Sequence, residues 1–129
     1  MLEKISIEKA SIHTLVKALP GDALADVYPK LCQHNSVVVT DADGHLAGIV
    51  SRNDLIGAVL DHADGWRELK VSDIMTREVK YVPYHLSLAE AARLMLRSDI
   101  HQLVVVGPPE GGSVARGVLT LEDVLKHAH

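Results

Sequence analysis

The sequence predicts a mixed α/β (α+β) chain made of two β-α-β-β-α repeats, and three observations predict it. Two distant stretches resemble each other: residues 48–55, Gly-Ile-Val-Ser-Arg-Asn-Asp-Leu, align with residues 117–124, Gly-Val-Leu-Thr-Leu-Glu-Asp-Val, at a spacing of 69. Upstream, residues 37–39 align with 104–106 at 67, 24–26 with 88–90 at 64, and 16–20 with 79–83 at 63, so the spacing changes only where loops or helix ends fall. In both copies, short β-branched runs follow a stretch of helical period, with turn residues between the runs.

Each element follows in chain order. The first is an extended segment that ends at Pro20 in one copy and Pro83 in the other, because proline disfavours helix in the residue before it. A helix comes next. In the second copy Leu88, Ala91, Ala92, Met95 and Leu96 share one face, and Ser87 caps the start with Glu90 three residues on. Pro29 falls inside the matching helix of the first copy, where it removes a hydrogen bond or delays the start. The runs 36–40 and 47–50, and 103–106 and 114–119, read as buried strands. Asp41-Ala42-Asp43-Gly44 and the Gly/Pro-rich residues 107–112 between them suit hairpins. A last helix starts near Asn53 or Asp54, and near Glu122. The repeats are expected at 10–62 and 71–127, joined by a connector at 63–70.

Composition narrows the function classes. The chain has 129 residues, 47% of them hydrophobic, which is enough for a real core. A net charge of −4 gives no basis for binding nucleic acid or an anionic membrane, and 3% aromatic residues give no base-stacking platform. The single cysteine, Cys32, forms no internal disulfide; no signal peptide or spanning run is seen, so a cytoplasmic location is expected. Eight histidines are scattered without metal-ligand spacing, and no phosphate loop, dinucleotide fingerprint or nucleophile elbow occurs. Neither an enzyme nor a resident metal or cofactor is expected. Cys32 is expected as a small buried hydrophobe, Trp66 as a cover for apolar surface between the repeats, and Met75 and Met95 as core.

The repeated Gly-apolar-x-(Ser/Thr)-x-x-Asp carries the chemistry. Ser51 or Thr120 offers a hydroxyl at a helix start, and Asp54 or Asp123 presents two acceptor oxygens suited to two vicinal ribose hydroxyls. First-turn N–H groups favour anions. The same spacing is a helix capping box that needs no ligand, and both roles can hold at once.

The order of elements, the duplication and this motif resemble a tandem pair of CBS domains, the family named after cystathionine β-synthase. Val71-Ser72-Asp73-Ile74-Met75-Thr76 is similar to the segment that opens a second CBS repeat, and 101–106 to the strand after the first helix, with Val104 where the family usually has proline. The first copy departs further: Ile12-His13 stands in place of Met75-Thr76, its first helix is shorter, and it carries Pro29. The resemblance implies one Bateman-type module with pseudo-twofold symmetry and a cleft for an adenosine ligand such as AMP, ADP or ATP, and it implies a regulatory role. It places Ser51 and Thr120 on phosphate or ribose, Asp54 and Asp123 on ribose, and Val37, Val104, Met75 and Thr76 around the base. Arg52 faces phosphate where the second copy has Leu121, and Asn53 stands where it has Glu122, so the first site is expected to hold an anionic nucleotide more tightly. A ligand-free interaction module, or a sensor of S-adenosylmethionine or NAD, are the alternative readings. A homodimer through Leu55, Ile56, Val59 and Leu60, and an unidentified target protein, are the expected partners.

Overall fold

The computed structural model describes residues 2–10, 14–107 and 114–128, and the chain divides into two units: Val16–Val79, and Met1–Leu15 with Lys80–His129. In the first, strand β1 (Lys17–Ala18) turns at Pro20-Gly21 into helix α1 (Leu24–Gln33). Leu24, Val27 and Leu31 fall at i, i+3 and i+7 and are buried. Strand β2 (Ser36–Thr40) then pairs parallel with β1, and β3 (Leu46–Ser51) pairs antiparallel with β2, giving the order β1-β2-β3. Helix α2 (Arg52–His62), a 3-10 segment (Ala63–Glu68) and the one-turn helix α3 (Val71–Ile74) complete the unit. Pro29 lies inside α1 without delaying it, since the helix begins at Leu24; the buried apolar face offsets the hydrogen bond that the ring removes.

The other unit repeats this pattern. Strand β4 (Tyr81–Pro83), helix α4 (Leu88–Ser98), strands β5 (Gln102–Gly107) and β6 (Val114–Thr120) and helix α5 (Leu121–Lys126) give a sheet of order β4-β5-β6. The apolar face of α4 is narrower than its sequence suggests: Leu88, Ala89, Ala91 and Met95 are buried, whereas Leu96 is 71% exposed. The expected turn residues 108–112 lie outside the described residues, as do Ile12 and His13.

Each unit also takes in the opening segment of the other repeat. In the first, the Leu24 N–H donates to Leu69 C=O and Val71 N–H to Asp22 C=O, at 2.8 and 2.9 Å. In the second, Leu88 N–H donates to Ile5 C=O and Ile7 N–H to Leu86 C=O, both at 2.8 Å. Residues 5–7 therefore stand to α4 as 69–71 stand to α1. Ile7 is fully buried in one core and Val71 in the other. Trp66 is likewise a core residue of the Val16–Val79 unit, tilted against Tyr28 at 5.7 Å with the Arg67 guanidinium 4.9 Å from its ring centre. Its place is in that unit's own core. Cys32 is exposed rather than buried, because Leu31 beside it takes the inward face of α1.

Strand register corrects two of the sequence spacings. Lys17 pairs with Val38 and Tyr81 with Val104, so β1 and β4 match at 64 rather than 63. Val38 pairs with Ile49 and Val104 with Val118, so β2 and β5 match at 66 rather than 67, and the partner position of Val104 is Val38. A slip of one residue turns a side chain to the opposite face of the sheet. Val37 accordingly lies in its unit's core, while Val38 and Val104, though buried, belong to neither core cluster.

Gly57, inside α2, has nothing within 4 Å of where a Cβ would stand. Gly57→Ala is expected to stabilise the chain by about 0.5 to 1 kcal/mol through lower unfolded-state entropy, read as a higher urea midpoint at unchanged slope.

Candidate functional site

The motif is laid out along β3 and the start of α2. The β2–β3 register shifts between Val39 and Thr40, and β5–β6 shifts at the matching place between Val105 and Val106. Gly48 follows the irregularity. A Cβ there would meet the Thr76 carbonyl oxygen at 2.7 Å and Met75 Sδ at 2.9 Å, so only glycine admits the crossing segment. That segment pairs antiparallel with β3: Ile49 N–H donates to Thr76 C=O and Thr76 N–H to Ile49 C=O, both at 2.9 Å. Met75 is half-buried against the core, and Thr76 is exposed. Both thus lie beside the strand that ends in Ser51.

Ser51 and Asp54 form a reciprocal capping box. The Asp54 N–H donates to Ser51 Oγ at 3.2 Å, and the Ser51 N–H donates to Asp54 Oδ2 at 2.8 Å. Thr120 and Asp123 repeat it at 3.2 and 2.8 Å, and Thr120 Oγ1 also donates to Asp123 Oδ2 at 2.9 Å. The capping role is therefore realised in both copies. Asp54 is half-buried, whereas Asp123 is 4% exposed.

Arg52 is placed differently from the sequence expectation. Its Nε donates to Leu31 C=O at 2.7 Å, Nη1 to Asn35 Oδ1 at 2.9 Å and Nη2 to Cys32 C=O at 3.3 Å. The last carbonyls of a helix lack intrahelical partners and carry partial negative charge, so a guanidinium one strand away is held there. Arg52 closes the end of α1 rather than awaiting a phosphate. Val37, turned into the core, is likewise withdrawn from the base-lining set, and Val38 occupies the position that matches Val104.

Two features escaped the sequence reading. Asp41, Asp43 and His45 bring ligand-type atoms within 4.8 Å of one another at the β2–β3 turn. Asp41 Oδ1 there accepts from the Asp43 and His45 N–H groups, both at 2.9 Å, which is the architecture of a turn. The His45 N–H holds the Asp41 carboxyl below its ordinary range, opposed by burial and aided by the Asp43 N–H and the His45 side chain. A groove of about 300 Å³ opens at the carboxyl ends of β1 and β2, lined by Lys17, Leu19, Asp22, Thr40 and Asp41 among others, and none of the motif residues reaches it. Among the described residues no helix is long and apolar enough to cross a membrane.

The CBS domain family model matches residues 11–61 and 71–129. A CBS domain-containing protein from Bacillus anthracis superposes with a TM-score of 0.85 at 18% identity, covering 98% of this chain and 94% of that one. CBSX2 in complex with AMP gives 0.80 at 23%, covering 96% of each. The cytosolic domain of the Mg2+ channel MgtE in complex with ATP gives 0.79 at 28%, over 97% of this chain and 49% of that one. Among curated proteins, uncharacterised proteins of Methanopyrus kandleri and Thermofilum pendens are 24% and 35% identical over 127 and 92 residues. The matched regions span 63% and 28% of those relatives' lengths.

Arg52→Ala is expected to lower stability by about 1 to 2 kcal/mol, the worth of charge-assisted bonds to helix-end carbonyls that solvent partly replaces. Gly48→Ala should cost about as much or more, because the intruding Cβ meets backbone. Urea unfolding of the two variants checks both values; wild-type midpoints would contradict the roles given to these residues.

Proposed function

Because the chain belongs to the CBS domain family and carries two copies in tandem, we propose that it is a regulatory module that binds an adenosine nucleotide such as AMP, ADP or ATP. The carrying observation is the Ser51–Asp54 box set beside the Met75-Thr76 segment. Only Oδ2 of Asp54 is engaged by the box, which leaves Oδ1 to accept from ribose hydroxyls, while Ser51 and the first-turn N–H groups of α2 suit phosphate. AMP-bound and ATP-bound relatives support the ligand class. Both boxes are complete as helix caps, a role that needs no nucleotide, and this favours a second reading, an interaction module that binds no nucleotide.

A thermal-shift series with AMP, ADP, ATP, S-adenosylmethionine and NAD separates the readings. A ligand at 100 times its Kd should stabilise the chain by about 2.7 kcal/mol. Asp54→Ala should weaken binding by about 1.5 to 3 kcal/mol while costing about 1 kcal/mol of stability. Unmoved melting with every compound would favour the interaction module.

Assembly belongs to the same proposal. Ile56, Val59 and Leu60 of α2 are 57, 37 and 79% exposed, while Leu55 is buried in its own core. A second copy that covers this face makes a homodimer, so light scattering should report about twice 14.0 kDa at micromolar concentration; a mass of one chain would reject it.

A further inference from the structure

Resting on the nucleotide reading above, we infer that the two repeats have diverged in role: only the Ser51–Asp54 box takes nucleotide, and the Thr120–Asp123 box is a closed structural clasp. The boxes have the same spacing, but their free valences differ. Among the described residues no acceptor takes the Ser51 hydroxyl proton, so it remains available to a phosphate or ribose oxygen. The Thr120 hydroxyl instead gives its proton to Asp123 Oδ2 at 2.9 Å, onto the same oxygen that accepts the Thr120 N–H at 2.8 Å. An acceptor for ribose must be reachable. Asp54 is half-buried, whereas Asp123 is 4% exposed, so two vicinal hydroxyls would reach it only by opening the clasp.

The neighbouring positions point the same way. Asn53, neutral and exposed, follows Arg52 at the start of α2; the matching Glu122 is exposed and places a carboxylate where an anionic phosphate would come. Leu121, matching Arg52, packs against the apolar core of its unit. The first site thus stays favoured over the second even though the Arg52 guanidinium is engaged elsewhere. The difference comes from the carboxylates and hydroxyls of the boxes.

The test titrates the full chain with AMP and with ATP, using calorimetry for stoichiometry and amide NMR for location. One equivalent per chain is expected, with the Ser51 to Asp54 amides shifting and the Thr120 to Asp123 amides nearly still. Asp54→Asn should weaken binding about tenfold or more, equivalent to about 1.4 kcal/mol. Asp123→Asn should change affinity less than about threefold while lowering the melting temperature; if it does not fold, wild-type stoichiometry and shifts decide. Two equivalents with both boxes shifting, or shifts confined to Thr120–Asp123, would overturn the inference and leave the nucleotide reading standing. No heat and no shift with either nucleotide would overturn both.

Discussion

The pair of hydrogen bonds between Ile49 and Thr76 is the contact on which the first unit is organised. It fixes a segment from beyond the connector onto the strand that ends in the capping serine, and Gly48 makes that approach possible by presenting no Cβ. Behind it, Val71 enters the core and its N–H reaches Asp22 C=O, so the start of α1 and the end of β3 are tied to one stretch of chain. The other unit shows the matching bonds for residues 5–7.

A capping box and a nucleotide-binding motif draw on the same atoms. A carboxylate three residues after a hydroxyl closes two N–H groups at a helix start, and it has two oxygens, so one can hold the cap while the other faces outward. What separates a cap that can bind from a cap that only closes is the direction of one hydroxyl proton and the exposure of one carboxylate. The exposure is set by packing around the box, which the four-residue pattern does not carry.

The repeat, its strands and both boxes were legible in the sequence because they rest on local rules: β-branched runs, turn residues and Ser/Thr-x-x-Asp spacing. Register was less legible. Consecutive valines at 37–39 and 104–106 allow a slip of one without loss of apolar character, and only the pairing of Val38 with Ile49 and of Val104 with Val118 decides it. The engagement of Arg52 was hidden for another reason, since its partners Leu31 and Cys32 are backbone carbonyls about 20 residues upstream that carry no side-chain signal. Cys32 was misjudged because composition says nothing of which side of α1 faces inward. The exchange of opening segments is a long-range pairing of short apolar stretches, and Ile5-Ser6-Ile7 has too little sequence in common with Leu69-Lys70-Val71 to disclose it.

That exchange makes the two units unequal in the order of synthesis. Everything the Val16–Val79 unit requires is one continuous stretch, complete once its last residue has emerged. Its neighbour joins residues 5–7 to strands that follow the whole of the first unit in the chain, so Ile7 must wait, without its core, until β6 exists. The thermodynamic cost is slight: closing Ser6 onto Ser87 rather than Ala23 onto Lys70 lengthens the loop by less than a doubling, worth under about 0.6 kcal/mol. Time is the larger burden, because an apolar segment without its partners stays open to chaperones and to stray pairing while the first unit is made.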